Sequence, residues 1–196
     1  MLGSQARSRL LRLSAYDCGI MQRTEAILAA EPITLREIRE GDLDLLRLHR
    51  NAPGTRAWLE DNSEVSAAQQ LQWFRNGGST NMRVALSMGI DVGLARLSHD
   101  AATRACMVGL DIFKPIRGRG LARPVFRHIC ETAVAAGARC LTLWVFSDNL
   151  PAMRVYRSEG FVLDESEPLK WLIRQFPHEI APAPHTYVKM SRFIQR

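Results

Sequence analysis

The chain is poor in the residues that would tie it to a metal or to an oxidising compartment. Its four cysteines, Cys18, Cys106, Cys130 and Cys140, form no Cys-x-x-Cys pair and have no histidine at metal-ligand spacing. They read as free thiols in a reducing cytosol, so a cytoplasmic protein with no metal is expected. No apolar run is long enough to span a bilayer. No segment near the start has the apolar core of a secretory signal, and no internal repeat or low-complexity stretch occurs. A Gly-Lys-Ser/Thr tripeptide is absent, which excludes a P-loop. A dinucleotide fingerprint fails as well, because the third small residue it needs after Gly118 and Gly120 is Arg123.

A basic stripe on the body of the protein is also missing. The net charge is +6, but residues 1–23 carry +3 and residues 170–196 carry +4, leaving 24–169 at −1. A groove-binding protein would carry its positive charge on the folded body. Neither nucleic acid nor membrane is an expected partner.

What is present fits one ordinary globular domain: 196 residues, 46% apolar and 23% charged. Residues 1–30 read as a flexible extension, with Arg7, Arg9 and Arg12 among Leu10, Leu11 and Leu13, and Met21 as an alternative start. Residues 31–196 read as the domain. Ile33 to Ile38 alternates like a strand. A helix starts at Gly41-Asp42, carries Leu43, Leu45, Leu46 and Leu48, and ends near Asn51-Ala52-Pro53-Gly54; Ala67 to Arg75 reads as a second, capped by Ser66. Met82 to Met88 and Val92 to Ser98 form a hairpin around Gly89-Ile90-Asp91. A strand follows from Cys106 to Phe113, then a long helix from Gly120 to Ala136. Cys140 to Phe146 is a buried strand, Pro151 to Glu159 a short helix, and Phe161 to Asp164 and Thr186 to Met190 the last strands. The segment Glu165 to His185, with four prolines, is longer than an ordinary hairpin loop.

Two stretches carry chemistry. Arg117-Gly118-Arg119-Gly120-Leu121-Ala122 is a Gly-rich turn between a strand and a helix. Such a turn aims backbone N–H groups and the positive end of a helix at one spot, which suits a phosphate. Taken alone it also reads as a surface turn. Downstream, Asn149 opens a short helix, and Tyr156 lies two turns along the same face. Asn149 has the composition of a plain helix cap.

Together the two stretches resemble the signatures of the GNAT superfamily of N-acetyltransferases. Arg117-x-x-Gly120-x-Ala122 fits Gln/Arg-x-x-Gly-x-Gly/Ala, and Asn149 to Phe161 fits Asn-x-x-Ala-x-x-x-Tyr-x-x-x-Gly-Phe. The resemblance covers roughly 33–193. It implies an α/β (α+β) fold, a mixed twisted sheet of about seven strands with about four helices. A V-shaped cleft for acetyl-CoA would open between the strands at 106–113 and 140–146. It further implies that Arg117, Gly118, Arg119, Gly120, Leu121 and Ala122 cradle the pyrophosphate, and that the backbone of Asp111, Ile112 and Phe113 meets the pantetheine. Asn149 would contact the cofactor, and Tyr156 would protonate the departing thiolate. Thiol and phenol pKa values lie within about two units, so that transfer is sensible; the other reading of Tyr156 is a core tyrosine.

The implied activity is acetyl transfer to a primary amine by direct attack. The expected acceptor is a small molecule such as an amino sugar, with a protein N-terminus or lysine as the alternative. A non-catalytic acyl-CoA-binding module is the reading from another class. The protein is expected to be a monomer or homodimer. Asp111 and His49 are candidates for the base, each also readable as an ordinary polar residue. Some ribosomal-protein acetyltransferases carry a glutamate five residues before the asparagine; this chain has Trp144 there. Arg50, Arg56 and Trp73 read either as holders of a phosphate and a ring or as salt bridges and a core aromatic. Arg123 reads as a phosphate partner or a solvated residue, and Lys170-Trp171 as a closure over an acceptor.

Overall fold

Alternating apolar and polar residues set the first strands into a meander. In the computed structural model, which describes residues 32–175 and 179–195, β1 (Ile33–Glu37) pairs antiparallel with β2 (Met82–Ser87), and β2 with β3 (Ile90–Asp100). The β2–β3 turn is Met88-Gly89, both at positive φ (51° and 72°), the geometry of a tight two-residue hairpin. Ile90 and Asp91 therefore join the strand instead of the turn. The proposed extension at 1–30 lies outside the described residues.

Helices fill the long connection between β1 and β2. A 3-10 turn, Glu40–Asp42, leads into α1 (Leu43–Asn51), whose buried residues Leu43, Leu46 and His49 recur every third position on one stripe. Pro53 starts α2 (Pro53–Arg56), a single turn that the sequence pattern does not reveal. Ser66 caps α3 (Ala67–Arg75) in a reciprocal box: Gln69 N donates to Ser66 Oγ at 3.2 Å and Ser66 N to Gln69 Oε1 at 2.8 Å.

β4 (Ala105–Ile112) runs antiparallel to β3. Gly93 permits the approach at its end, since a Cβ there would lie 2.5 Å from the Asp111 carbonyl oxygen. α4 (Ala122–Ala135) buries Val125, Phe126, Ile129, Cys130 and Ala133 and packs on β4, β3 and β1. After it come β5 (Cys140–Phe146), α5 (Leu150–Ser158), β6 (Val162–Leu163), β7 (Lys170–Arg174) and β8 (Ala183–Phe193). The sheet order is β1-β2-β3-β4-β5-β8-β6, with β7 also on β8. Among the described residues this is the expected mixed sheet, with eight strands instead of about seven and five α-helices instead of about four.

The extra strand comes from the proline-rich segment. β8 is eleven residues long and serves three partners: Ala183 to Tyr187 pair with β7, Tyr187 to Phe193 with β5, and Met190 and Ser191 also with β6. Pro184, opposite Ile173, hides the strand pattern in the sequence. Among the described residues no helix is long and apolar enough to cross a membrane.

Glu159, at the end of α5, fastens that helix to α4. Its buried carboxylate accepts from Arg123 Nε at 2.9 Å and from Arg127 Nη2 at 3.0 Å. Burial alone would raise this carboxyl, but the bonds from Arg127 and Arg123 outweigh it and hold it below its ordinary value near 4.5. A depressed pKa in the folded state stabilises above the unfolded value and is lost as pH falls through the folded one. Glu159→Ala should therefore cost about 1 kcal/mol at pH 7, since both arginines are half-exposed. In thermal melts, that difference from wild type should shrink steadily below pH 4.5.

Candidate functional site

The central feature is a gap. β4 and β5 pair in parallel only at Ala105↔Cys140, Cys106↔Leu141 and Met107↔Thr142, and then separate. At the far end of β4, Phe113 N donates to Val92 O at 3.0 Å. Backbone groups alternate in direction along an antiparallel strand, so those of Val108, Leu110 and Ile112 face the gap. Of the three strand residues expected to meet a ligand, Ile112 does face it. Asp111 pairs with Leu94 on β3, and the Phe113 carbonyl accepts from Ile116 N at 3.0 Å.

The Gly-rich turn sits at the mouth of the gap. Ile116 and Leu121 are buried on either side and anchor it, while Arg117, Gly118 and Gly120 are exposed between them. Gly118 and Gly120 adopt φ of 81° and 74°. A Cβ on either would meet nothing within 4 Å, so the glycines answer a conformational need and leave the approach clear. Among the described residues, the N–H groups of Gly118 to Ala122 have no hydrogen-bond acceptor. They stand at the N-terminal end of α4, with the polarity an anion seeks.

The Arg117 side chain turns away from this cradle. Its Nε donates to Ile112 O at 2.8 Å. Its Nη2 donates to Asp111 Oδ1 and Thr55 Oγ1, each at 2.9 Å, and its Nη1 to Gly54 O at 3.3 Å. The other Asp111 oxygen lies 2.8 Å from His49 Nε2. His49 is buried on the apolar stripe of α1, with its ring edge-on to Phe113 at 5.0 Å between centroids. The two candidates for the base, 62 positions apart, are thus one hydrogen-bonded pair. Thr55 of α2, buried beneath Arg117, has no signal in the sequence that would have marked it.

Across the gap, Asn149 caps α5 by accepting from Ala152 N at 3.3 Å. Tyr156 is buried, its ring 4.8 Å from that of Phe126, and its hydroxyl makes no hydrogen bond with another described residue. Burial first, and the negative charge of Asp111 second, push the phenol well above its ordinary range.

Other candidates are bound up in structure. Arg50 donates to Ser63 O at 2.7 Å and to Asp61 O at 3.0 Å, and Arg56 pairs with Glu64. Trp73 packs against the core over Gly78. Arg123 is held by Glu159. Lys170 does close over an aromatic wall: its Nζ lies 4.2 Å from the Trp144 ring centroid and 3.1 Å from Glu60 Oε1, and Trp144 stacks on Tyr187 at 5.5 Å. Trp171 points outward and is 66% exposed. A second buried histidine, His185, bridges Asp148 at 2.6 Å and Glu179 at 3.0 Å. Among the described residues no group of three His, Cys, Asp or Glu side chains is placed to hold a metal ion.

Residues 43–161, more than half of the chain, match the Acetyltransferase (GNAT) family. The chain belongs to that family. Its fold is similar to that of the spermidine N-acetyltransferase of Vibrio cholerae, solved with CoA and spermine, at a TM-score of 0.68 and 18% identity over 82% of this chain and 95% of that one. It is also similar to the ribosomal-protein-alanine N-acetyltransferase of Brucella melitensis, at a TM-score of 0.63 and 18% identity over 82% and 99%. The streptothricin acetyltransferase of Streptomyces lavendulae is 32% identical over 89 residues, 43% of this chain and 47% of that protein. The chain spans less than half the length of the curated relatives it matches.

Burial raises the thiol of Cys106 to about 11 and that of Cys130 to about 12. Both should resist a thiol reagent at pH 8 in the folded protein and react on unfolding in urea. Fast labelling of either under native conditions would contradict this packing.

Proposed function

We propose that the protein is an acetyl-CoA-dependent N-acetyltransferase that acts on a primary amine of a small molecule. The observation that carries this reading is the convergence at the β4–β5 gap. One wall offers unpaired strand amides and the Gly118–Ala122 turn; the other offers the free phenol of Tyr156. The pantetheine of acetyl-CoA carries amides that can pair with Val108, Leu110 and Ile112 as an added strand would. Its pyrophosphate suits the N–H groups of the turn.

In this reading a neutral amine attacks the acetyl carbonyl directly. The C–N bond forms, the C–S bond breaks, and the thiolate takes the Tyr156 proton. The second proton leaving the nitrogen restores the phenol. The upward shift keeps Tyr156 in its proton-bearing form at neutral pH and makes it a weaker acid than an ordinary phenol. A covalent acetyl-cysteine is disfavoured by the buried, protonated state of Cys106 and Cys130.

Two features support a small amine, an amino sugar among them, over a protein N-terminus. Trp144 stands where the ribosomal-protein branch carries its glutamate, and Lys170 narrows the space above it. The streptothricin acetyltransferase relative is named for a small molecule as well. Pairing of Arg50 and Arg56 with Asp61 and Glu64 removes the pair that would have gripped a sugar nucleotide by its phosphate.

The test is release of free thiol from acetyl-CoA with amino sugars, polyamines, amino acids and N-terminal peptides as acceptors. Wild type should turn over one class of small amine. Tyr156→Phe should lower kcat by roughly 100-fold and leave acetyl-CoA affinity within about threefold. The rate should show no alkaline decline from loss of the Tyr156 proton below pH 10, since the shift is upward. Tight acetyl-CoA binding with no turnover, unaltered by Tyr156→Phe, would replace this reading with that of an acyl-CoA-binding module.

A further inference from the structure

The two faces of the gap differ. Cys106, Val108 and Ile112 on β4 are buried, as are Leu141, Leu143 and Val145 on β5, and the register Cys106↔Leu141 puts both sets on one face. That face is filled by the apolar core. The opposite face carries Asp111, Trp144 and Phe146, with α1 and β7 around it. An amine entering the gap from this second side would meet Asp111. Asp111 stands there with about a third of its side chain exposed (33%).

The carboxylate is built in with care for its orientation. Arg117 holds Oδ1 at 2.9 Å and His49 holds Oδ2 at 2.8 Å. A carboxylate offers about four lone-pair sites, so two remain for a further donor. An ionised carboxylate only accepts, so the His49 proton lies on Nε2 and its direction is fixed. A histidine on the apolar stripe of α1, 5% exposed, is a costly choice unless it serves that bond. Asp111 also faces Tyr156, whose phenol feels its charge.

We infer that Asp111 receives the acceptor's ammonium group and takes its first proton, with His49 and Arg117 as positioning residues. This rests on the acetyltransferase reading above. The balance is complete: the ammonium gives one proton to Asp111 and thence to solvent, the neutral amine attacks, and its second proton replaces the one Tyr156 gives to sulfur. Arg117 borders the anion cradle, its own N–H given to Lys114 O at 3.3 Å, while its guanidinium holds the proton acceptor. The other titratable group whose charge state couples to this cluster is Tyr156 across the gap, and Thr55 adds a neutral hydroxyl contact to Arg117.

The experiment uses the full chain and whichever of glucosamine, spermidine or an alanine-terminated peptide wild type acetylates fastest. Asp111→Asn should lower kcat about 100-fold at pH 7. Its rate should climb with pH toward wild type as the amine's own pKa is approached, because solvent then supplies the neutral amine. Acetyl-CoA affinity and melting temperature should stay close to wild type. His49→Leu should lower kcat about tenfold, and His49→Gln, whose amide can donate to Asp111, should recover most of it. An Asp111→Asn rate within threefold of wild type, or a pH profile parallel to it, would overturn the inference while leaving the acetyltransferase reading in place. Failure of wild type to release thiol with any acceptor would overturn that reading and this inference together.

Discussion

A parallel pair of strands that separates after Met107 and Thr142 leaves the next backbone groups on both strands to find other partners. On β5 the loss is limited to one edge, because β8 pairs with it along its whole length. On β4 the edge beyond Met107 faces the gap. One of its carbonyls, that of Ile112, is taken by Arg117. The separation persists because elements on either side are independently secured. β4 is held by eight register pairs to β3, β5 by seven to β8, and α4 lies against β4, β3 and β1. Closing the gap would tear at one of these packings, so an open edge here is a stable property of the fold.

Charge at the site is organised by distance in sequence. Arg50 and Arg56 meet carboxylates eight to eleven positions away, at Asp61 and Glu64, in a loop that folds back on the helices. Such exposed pairs add little to stability. Their effect is to satisfy arginines that a reader of the sequence would assign to a ligand. The pairs reaching across the fold are more buried. Glu159 joins α5 to α4, and Asp111 joins the β4 edge to α1 and to the Gly-rich turn. Both carboxylates tie down an element that borders the gap.

Most of the framework was legible because its signals are local. The Ser66 box, the Cys140–Phe146 strand and the glycines of the turn each follow from neighbouring residues. The gap itself was reached through the resemblance of two motifs. What could not be read were features created by tertiary pairing. β7 has no clean alternation, with Lys170, Trp171 and Ile173 all exposed, and exists because the first half of β8 offers an edge. The motif assigns the Arg117 N–H to a phosphate, yet that N–H donates to Lys114 O, and bonds to Ile112, Asp111 and Thr55 draw the side chain inward. The link between His49 and Asp111 was invisible, since periodicity marks His49 only as a polar residue on an apolar stripe.

The walls of the gap hold their titratable groups in opposite surroundings. Tyr156 is packed among Phe126 and Phe161, and this apolar setting favours the neutral, protonated phenol. Asp111 lies at a solvent-reachable edge, with Arg117 Nη2 2.9 Å from one oxygen and His49 Nε2 2.8 Å from the other. Burial and solvent access are thus divided between the two walls, with the phenol on the packed side and the carboxylate on the open one. The two groups come from opposite sides of the same break in the sheet. The break that exposes unpaired amides therefore also sets a buried wall and a solvent-reachable wall on its two sides.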